Sequence, residues 1–160
     1  LSDLTRLVPR DAIAGQGPAV LQPRGTPPLG IVISYETFFP DRVAAAVHAG
    51  GQLVLAPTSA SSFTGRTVPA IEVAASRLRA REFGRAVLQA APTGYSAIIR
   101  PDGALTDLSG LGTRELMRAS VPLRTGLTPY ARMGDTPMLV LALLILIAPV
   151  GVHATRRRSV

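Results

Sequence analysis

Residues 30–42 read GIVISYETFFPDR, a short β-rich apolar run, a sharp turn and then a helix start. Few layouts accommodate such a segment: a buried strand must end, reverse within a few residues and enter a helix. A strand-to-helix turn of this kind exposes one side chain beside free backbone N–H groups, which suits a nucleophile. The residue at the turn is Ser34, and Glu36 follows two positions later. The chain contains no Cys and no Lys, so the usual means of activating a nucleophile at such a turn are missing. These residues together describe the remains, or one half, of an enzyme.

A chain of 160 residues suffices for one ordinary domain. Hydrophobic residues make up 47% and the mean hydropathy is +0.30, an apolar balance whose excess sits at the C-terminus. All 17 basic residues are Arg, and the formal charge is +7. The Arg residues are scattered and aromatics are only 4%, so the charge does not read as a nucleic-acid surface. Zero Cys removes disulfides, thiolate metal sites and cysteine catalysis. The first residue is Leu1 rather than Met, which reads as a segment of a longer product or a non-standard start. No charged stretch followed by an apolar one stands near the start, so no signal peptide is read there.

Along the chain, residues 1–29 are rich in Pro and Gly and read as an irregular lead-in, with one short strand at 19–22. Residues 30–34 read as a buried strand and 39–49 as a helix with Pro40 in its first turn, ended by Gly50-Gly51. Residues 53–56 form a further apolar strand. Strand, helix and strand at this spacing predict a parallel crossover unit. A Ser/Thr/Gly-rich loop over 57–68 precedes a helix at 69–83, whose Ile71, Ala74, Ala75 and Leu78 fall at helical spacing. A strand at 86–91 follows. Strands at 95–100 and 104–108 flank Pro101-Asp102-Gly103, a hairpin turn in which Pro presets φ and Gly accepts positive φ. Residues 115–123 read as a last strand, closing a unit at 30–123.

A polar, Gly/Pro-punctuated connection at 124–136 leads into the uncharged run MLVLALLILIAPVGV at 138–152. Extended to 137–154, the run reaches the minimum of about 17 residues for a membrane span. The tail at 155–160 contains Arg156-Arg157-Arg158, a flank that favours a cytoplasmic C-terminus and an extracytoplasmic globular part.

These pieces resemble one family, the apolipoprotein N-acyltransferases, membrane enzymes that carry a carbon–nitrogen hydrolase (nitrilase-like) domain. The family's I-C-Y-E motif and following F-P are similar to Ile33-Ser34-Tyr35-Glu36 and Phe39-Pro40. Its R-x-R-A-x-E-x-x-R helix resembles Arg77, Arg79, Ala80, Glu82 and Arg85. Its N-T-G-x-x-A-x-I-x-P-x-G stretch is matched by Thr93-Gly94, Ala97, Ile99, Pro101 and Gly103. Its T-G-x-T-P-Y-A-R-x-G-[DN] signature stands whole at 125–135. Four motifs in order, followed by an apolar run, make the resemblance specific over nearly the whole chain. It implies an α/β fold: half of a nitrilase-like α-β-β-α sandwich, a partial domain at 30–123, with a C-terminal transmembrane helix at 137–154. It implies phospholipid-to-lipoprotein acyl transfer at a cell membrane, with phospholipid and lipoprotein as partners, and no cofactor or metal.

The departures from the family pattern are as informative. Ser34 stands at the nucleophile position, which is Cys in the family, and Glu36 is a supporting residue there rather than the base. The resemblance assigns a Glu base and a Lys to the upstream half of the domain, which this sequence lacks. The family's N-D-x-W-F stretch is replaced by Ser59-Ala60-Ser61-Ser62-Phe63, and the Asn before Thr93-Gly94 by Pro92. Glu36 and Glu82 are the acids within family motifs that could face a pocket; the plainer role for both is pairing with Arg or backbone. His48 and His153 have no partner at metal spacing. Tyr130 and Arg132 suit either interface anchoring or substrate contact, and Arg77, Arg79 and Arg81 a solvated or interdomain face. Three readings follow. The chain is a fragment of an N-acyltransferase homologue, inactive alone; or one half of a split protein that docks a separate N-terminal half; or a membrane-anchored module without chemistry.

Overall fold

The computed structural model describes residues 13, 15–63 and 65–156, with side-chain environments through 147. Its centre is a six-stranded mixed sheet: β1 (Val20–Leu21), β2 (Leu29–Ile31), β3 (Leu53–Pro57), β4 (Val87–Ala90), β5 (Ala97–Ile99) and β6 (Leu105–Leu108), side by side in chain order. β2, β3 and β4 run parallel, while β1, β5 and β6 add antiparallel at the flanks. The parallel joins are made by α1 (Pro40–His48) and α2 (Thr67–Phe83), as a parallel pair requires a crossover. Residues 30–31 and 53–56 sit in one sheet as their patterns predict, but the strand read over 30–34 is shorter: it ends at Ile31, Ile33 is exposed and Ser34 opens a 3₁₀ turn.

Side-chain alternation gives the sheet two unlike faces. Gly30, Val54, Val87 and Ile99 share one register row and are buried under α1 and α2. There they join Val32, Val43, Val47, Val73, Ala80 and Phe83 in a continuous core. The next row, Ile31, Leu55, Leu88 and Ile98, faces the other way, and its first three members are only half-buried. Helices thus cover one face of the sheet.

Two glycines set how closely α1 lies on β2. A Cβ on Gly30 would stand 3.0 Å from the Ala46 Cβ, and one on Gly51 would stand 2.8 Å from the Ala46 carbonyl oxygen. α2 ends on Gly84 at φ +62°, a left-handed cap that glycine adopts without steric cost. The 101–103 turn closes as its sequence predicts: Arg100 N–H donates to Ala104 O at 2.9 Å, and Gly103 takes φ +80°.

Two further expectations need correction. Residues 115–123 form no strand. After β6, Gly112 N–H donates to Gly94 O, which pins the chain against the β4–β5 turn and steers it away from the β6 edge. It then passes the exposed side of β4 and β5, where Met117 and Ala119 line a cavity with Leu88 and Ile98. It returns to β3, with Arg124 N–H donating to Gln52 O at 3.2 Å. Pro122 in this stretch also lacks the N–H that a paired strand needs. Second, the polar connection contains a helix, α3 (Pro129–Met133), because the Thr128 hydroxyl caps it by accepting from Ala131 N–H at 3.0 Å.

The last helix, α4 (Thr136–Arg156), occupies the apolar C-terminal run. Among the described residues no helix is long and apolar enough to cross a membrane. The spanning reading of 137–154 therefore rests on the sequence.

Arg85 is the buried cation that ties the C-terminal segment to the sheet. Its Nε donates to Gly51 O at 2.8 Å and its Nη2 to Gly126 O at 2.7 Å. Burial lowers its pKa, with Arg124 adding repulsion, and the guanidinium keeps its charge. Hydrogen bonds from a charged donor are worth about 1.5–3 kcal/mol. Arg85→Met should lower the urea unfolding free energy by about 2–4 kcal/mol, and Arg85→Lys should recover part of that loss.

Candidate active site

The turn after β2 is strained where a nucleophile would sit. Val32 N–H still donates to Leu55 O, so the sheet pairing persists one residue beyond β2. Ile33 is extended, and the chain then tightens into a 3₁₀ turn over Ser34–Phe38. Ser34 opens that turn at φ +49° and is the one non-glycine residue with positive φ among the described residues. A left-handed L-residue costs about 1–2 kcal/mol, and such costs concentrate at functional sites.

Glu36 holds the turn in place. Its Oε2 accepts from Ile33 N–H at 2.9 Å, and its Oε1 accepts from Arg42 Nε at 3.0 Å and Nη2 at 2.7 Å. The carboxylate thus links the end of the strand to the first turn of α1. The Ile33 N–H is the main cause of its lowered pKa; partial burial opposes the shift and Arg42 adds to it. With its oxygens committed in this way, Glu36 is a brace for the turn.

Ser34 meets a different acid. Its Oγ lies 3.2 Å from Thr58 Oγ1, and Thr58 Oγ1 is also hydrogen-bonded to Glu72 Oε1. Thr58 is 8% exposed and Glu72 5%. Ser34 and Glu72 both line a cavity of about 310 Å³ whose remaining walls include Tyr35, Phe38, Phe63, Val68 and Ile71. Tyr35 also packs on Phe38 as a tilted pair at 5.4 Å and edge-on against Phe39 at 5.3 Å. The loop over the cavity is held by Thr93, whose Oγ1 accepts from Ala60 N–H at 2.9 Å.

Neither Thr58 nor Glu72 stood out from the sequence. The available signal was Glu72's place on the buried stripe of α2, which runs Pro69, Glu72, Val73, Ser76, Arg79, Ala80 and Phe83. An acid on an apolar stripe is the informative exception.

The other sequence candidates lie elsewhere. Glu82 is ten residues further along α2, about 15 Å from Glu72. It pairs with Arg79 at 3.0 Å, and burial, against the Arg79 charge, raises its pKa. Arg79 is therefore buried and paired, not part of a solvated face, and Arg77 Nε donates to Gly103 O at 2.9 Å to hold the hairpin. The His48 ring Nε2 lies 3.0 Å from Ala131 O, tying α1 to α3. Tyr130 packs edge-on against Phe83 at 5.7 Å, and burial raises its pKa. Arg132 is exposed, and the side chain of His153 is outside the described residues.

The Glu36 geometry fixes a pH dependence. A glutamate with a depressed folded-state pKa stabilises fully above its unfolded value, and that stabilisation is lost as pH falls through the folded one. Glu36→Gln should lower the thermal midpoint at neutral pH. The gap from the parent chain should close as pH falls below about 4, read by circular dichroism melts across the acid range.

The site's layout has relatives. The sequence pattern of the carbon–nitrogen hydrolases matches residues 2–129. The apolipoprotein N-acyltransferase of Bradyrhizobium diazoefficiens is 37% identical over 137 residues, covering 85% of this chain and 25% of its own length. That of Ralstonia nicotianae is 34% identical over 130 residues, covering 79% and 24%. The chain thus spans about a quarter of the length of these relatives. Among solved structures, a nitrilase-superfamily amidase from Nesterenkonia AN1, in a form with serine replacing a cysteine, superposes with a TM-score of 0.51 at 30% identity. That match covers 62% of this chain and 40% of the amidase. In another form, the amidase's active-site cysteine carries an acrylamide adduct. The mixed sheet, the strained turn at Ser34 and the match over residues 2–129 agree: this chain belongs to the carbon–nitrogen hydrolase family, with apolipoprotein N-acyltransferases among its homologues.

Proposed function

We propose that the chain forms the C-terminal part of the catalytic domain of a membrane N-acyltransferase that acylates lipoproteins from phospholipid. The observation that carries this reading is Ser34, strained at φ +49° on the turn after β2 and opening into an apolar cavity. In this reading Ser34 holds the acyl-acceptor position and Glu36 braces it. The upstream part of the domain supplies a further Glu and a Lys, from the same polypeptide or a separate one. The half-buried row of Ile31, Leu55 and Leu88 favours such a complement, since an apolar sheet face left open to water is costly.

The apolar run of α4 anchors the domain. This anchoring rests on the sequence, where the uncharged run at 137–154 reaches the minimum of about 17 residues for a span. Met138, Leu139, Leu143, Leu144 and Leu146 are all exposed on it. The Arg-rich tail then lies on the cytoplasmic side and the sheet outside. Reporter fusions at Val160 should be active only on the inner face; activity only on the outer face overturns the orientation.

Transfer requires groups this chain does not carry, because residues that act as a unit are lost together. The chain alone should move no labelled acyl group from phospholipid to a diacylglyceryl peptide in detergent, and Ser34→Cys alone should not restore turnover. Joined behind the upstream three quarters of the Bradyrhizobium diazoefficiens relative, it should transfer, and Ser34→Ala should abolish that transfer. Turnover by the isolated chain, or by the joined protein carrying Ser34→Ala, overturns the proposal.

A further inference from the structure

We propose that the outer side of α2 docks the sheet domain on an anionic lipid bilayer, with Ile71 and Leu78 entering the headgroup region and Arg77 and Arg81 meeting lipid phosphates. The inference goes beyond the anchor at 137–154, because this contact belongs to the surface of the sheet domain itself.

A helix laid on a sheet ordinarily turns charged and polar residues to water. α1 does so with Asp41 and Arg42, one charge of each sign. α2 does not. Its exposed positions are spaced three or four apart and include Ala70, Ile71, Ala74, Arg77, Leu78 and Arg81. Ile71 is 51% exposed and Leu78 50%. No acid shares this side of the helix: Glu72 is buried, and Glu82 is half-buried and paired with Arg79. A single exposed apolar residue carries no information, but this face runs on into the mouth of the Ser34 cavity. Ile71 lines that cavity together with Tyr35 and Phe63, each more than half exposed. A contiguous apolar surface of this kind marks a contact.

The charges select the partner. Arg77 and Arg81 stand at i and i+4, where like charges repel. Both border a cleft whose other wall is Asp102, Gly103 and Ala104. Arg77 Nε donates to Gly103 O at 2.9 Å, which holds its guanidinium at the cleft. Asp102 is the acid on that wall; it accepts from Ala104 N–H at 3.0 Å and lies 3.6 Å from Arg100. One carboxylate therefore stands among the guanidiniums of Arg77, Arg81 and Arg100. Among the described residues neither Arg77 nor Arg81 has an ion-pair partner. Surplus positive charge beside exposed Ile and Leu is the composition of an interfacial helix, whose apolar side chains enter the acyl boundary while Arg heads stay with the phosphates. Under the proposed function, the upstream part of the domain belongs on the opposite side of the sheet, over Ile31, Leu55 and Leu88, and leaves α2 free. Seated on α2, the domain holds the mouth of the Ser34 cavity at the lipid surface.

The chain has no Cys, so one introduced thiol carries one label. The full chain with a fluorophore at Leu78→Cys is reconstituted in vesicles of phosphatidylcholine, alone or mixed equally with phosphatidylglycerol, that carry a nitroxide quencher on the lipid headgroup. The label should be quenched in the mixed vesicles, less so in phosphatidylcholine alone, and released as salt rises. A label at Thr106→Cys, exposed on β6, should stay unquenched in both. Arg77→Gln and Arg81→Gln should each weaken docking by about fivefold. The lipid-charge and salt series use one folded chain, so they read docking even if a substitution disturbs folding. Quenching at 78 that ignores lipid charge and salt, or equal quenching at 78 and 106, overturns the proposal. Energy transfer between labelled copies without lipid quenching gives the face to a second copy and overturns it. Quenching that disappears when the chain is joined behind the upstream part of the Bradyrhizobium diazoefficiens relative gives the face to that part and overturns it as well. A chain that resists carbonate extraction without quenching at 78 keeps the anchor and loses the docking face. Quenching at 78 in a chain that carbonate extracts keeps the docking face and removes the anchor.

Discussion

The close approach of α1 to β2 is the constraint on which the site depends. Gly30 and Gly51 leave room for Ala46, and no side chain larger than hydrogen fits at Gly51 without displacing backbone. With the helix held this near the strand, the chain has only residues 32–39 in which to leave the sheet and enter α1. Within that stretch Ser34 takes the left-handed conformation. The strain is offset locally by Glu36, which satisfies the Ile33 N–H and binds Arg42 on α1. The turn is therefore fixed at both ends before any substrate arrives. Under the proposed function, this fixes the acyl-acceptor side chain in place.

α2 carries the second half of the site because its buried stripe is not uniformly apolar. Glu72, Ser76 and Arg79 punctuate it, and each finds a different partner. Ser76 donates to Gln89 Oε1 at 2.6 Å, and Gln89 in turn donates to Tyr95 O at 3.0 Å, which fixes α2 on β4 and on the loop to β5. Arg79 is neutralised by Glu82. Glu72 alone of the three points toward the cavity at the strand ends. Ligands of parallel sheets gather at the carboxyl ends of strands, and both Ser34 and Thr58 follow directly after such ends. The helix thus brings an acid to the place where the sheet presents its hydroxyls.

Much of this was legible in the residues. The strands at 53–56 and 86–91, and the start of the one at 30–34, are short β-branched or apolar runs bounded by Gly and Pro. The helices between them begin or end on Pro40, Gly50 and Gly84. The hairpin at 101–103 carries its own turn chemistry. What escaped depends on contacts far apart in the chain. Residues 115–123 alternate like a strand, but Gly112 bonds to Gly94 and draws them off the β6 edge. Thr58 sat in a loop rich in Ser and Thr, where one hydroxyl looks like the next. Its contacts appear only in the fold, where Ser34, 24 positions away in sequence, and Glu72, 14 positions away, both touch it.

The C-terminal connection reads as a linker but is built as a mount. Arg85 holds Gly126, the Thr128 hydroxyl donates to the Glu82 carbonyl, and His48 reaches Ala131. Ala131 is buried in the same core as Val43 and Phe83. Three contacts from α1, α2 and the loop after α2 thus fix α3 against the body of the domain. Gly134 alone separates α3 from Asp135, whose carbonyl accepts the Leu139 N–H in the first turn of α4. The segment at 125–132, which reads as a linker, is thus held to the body of the domain by side chains and backbone groups far apart in the chain.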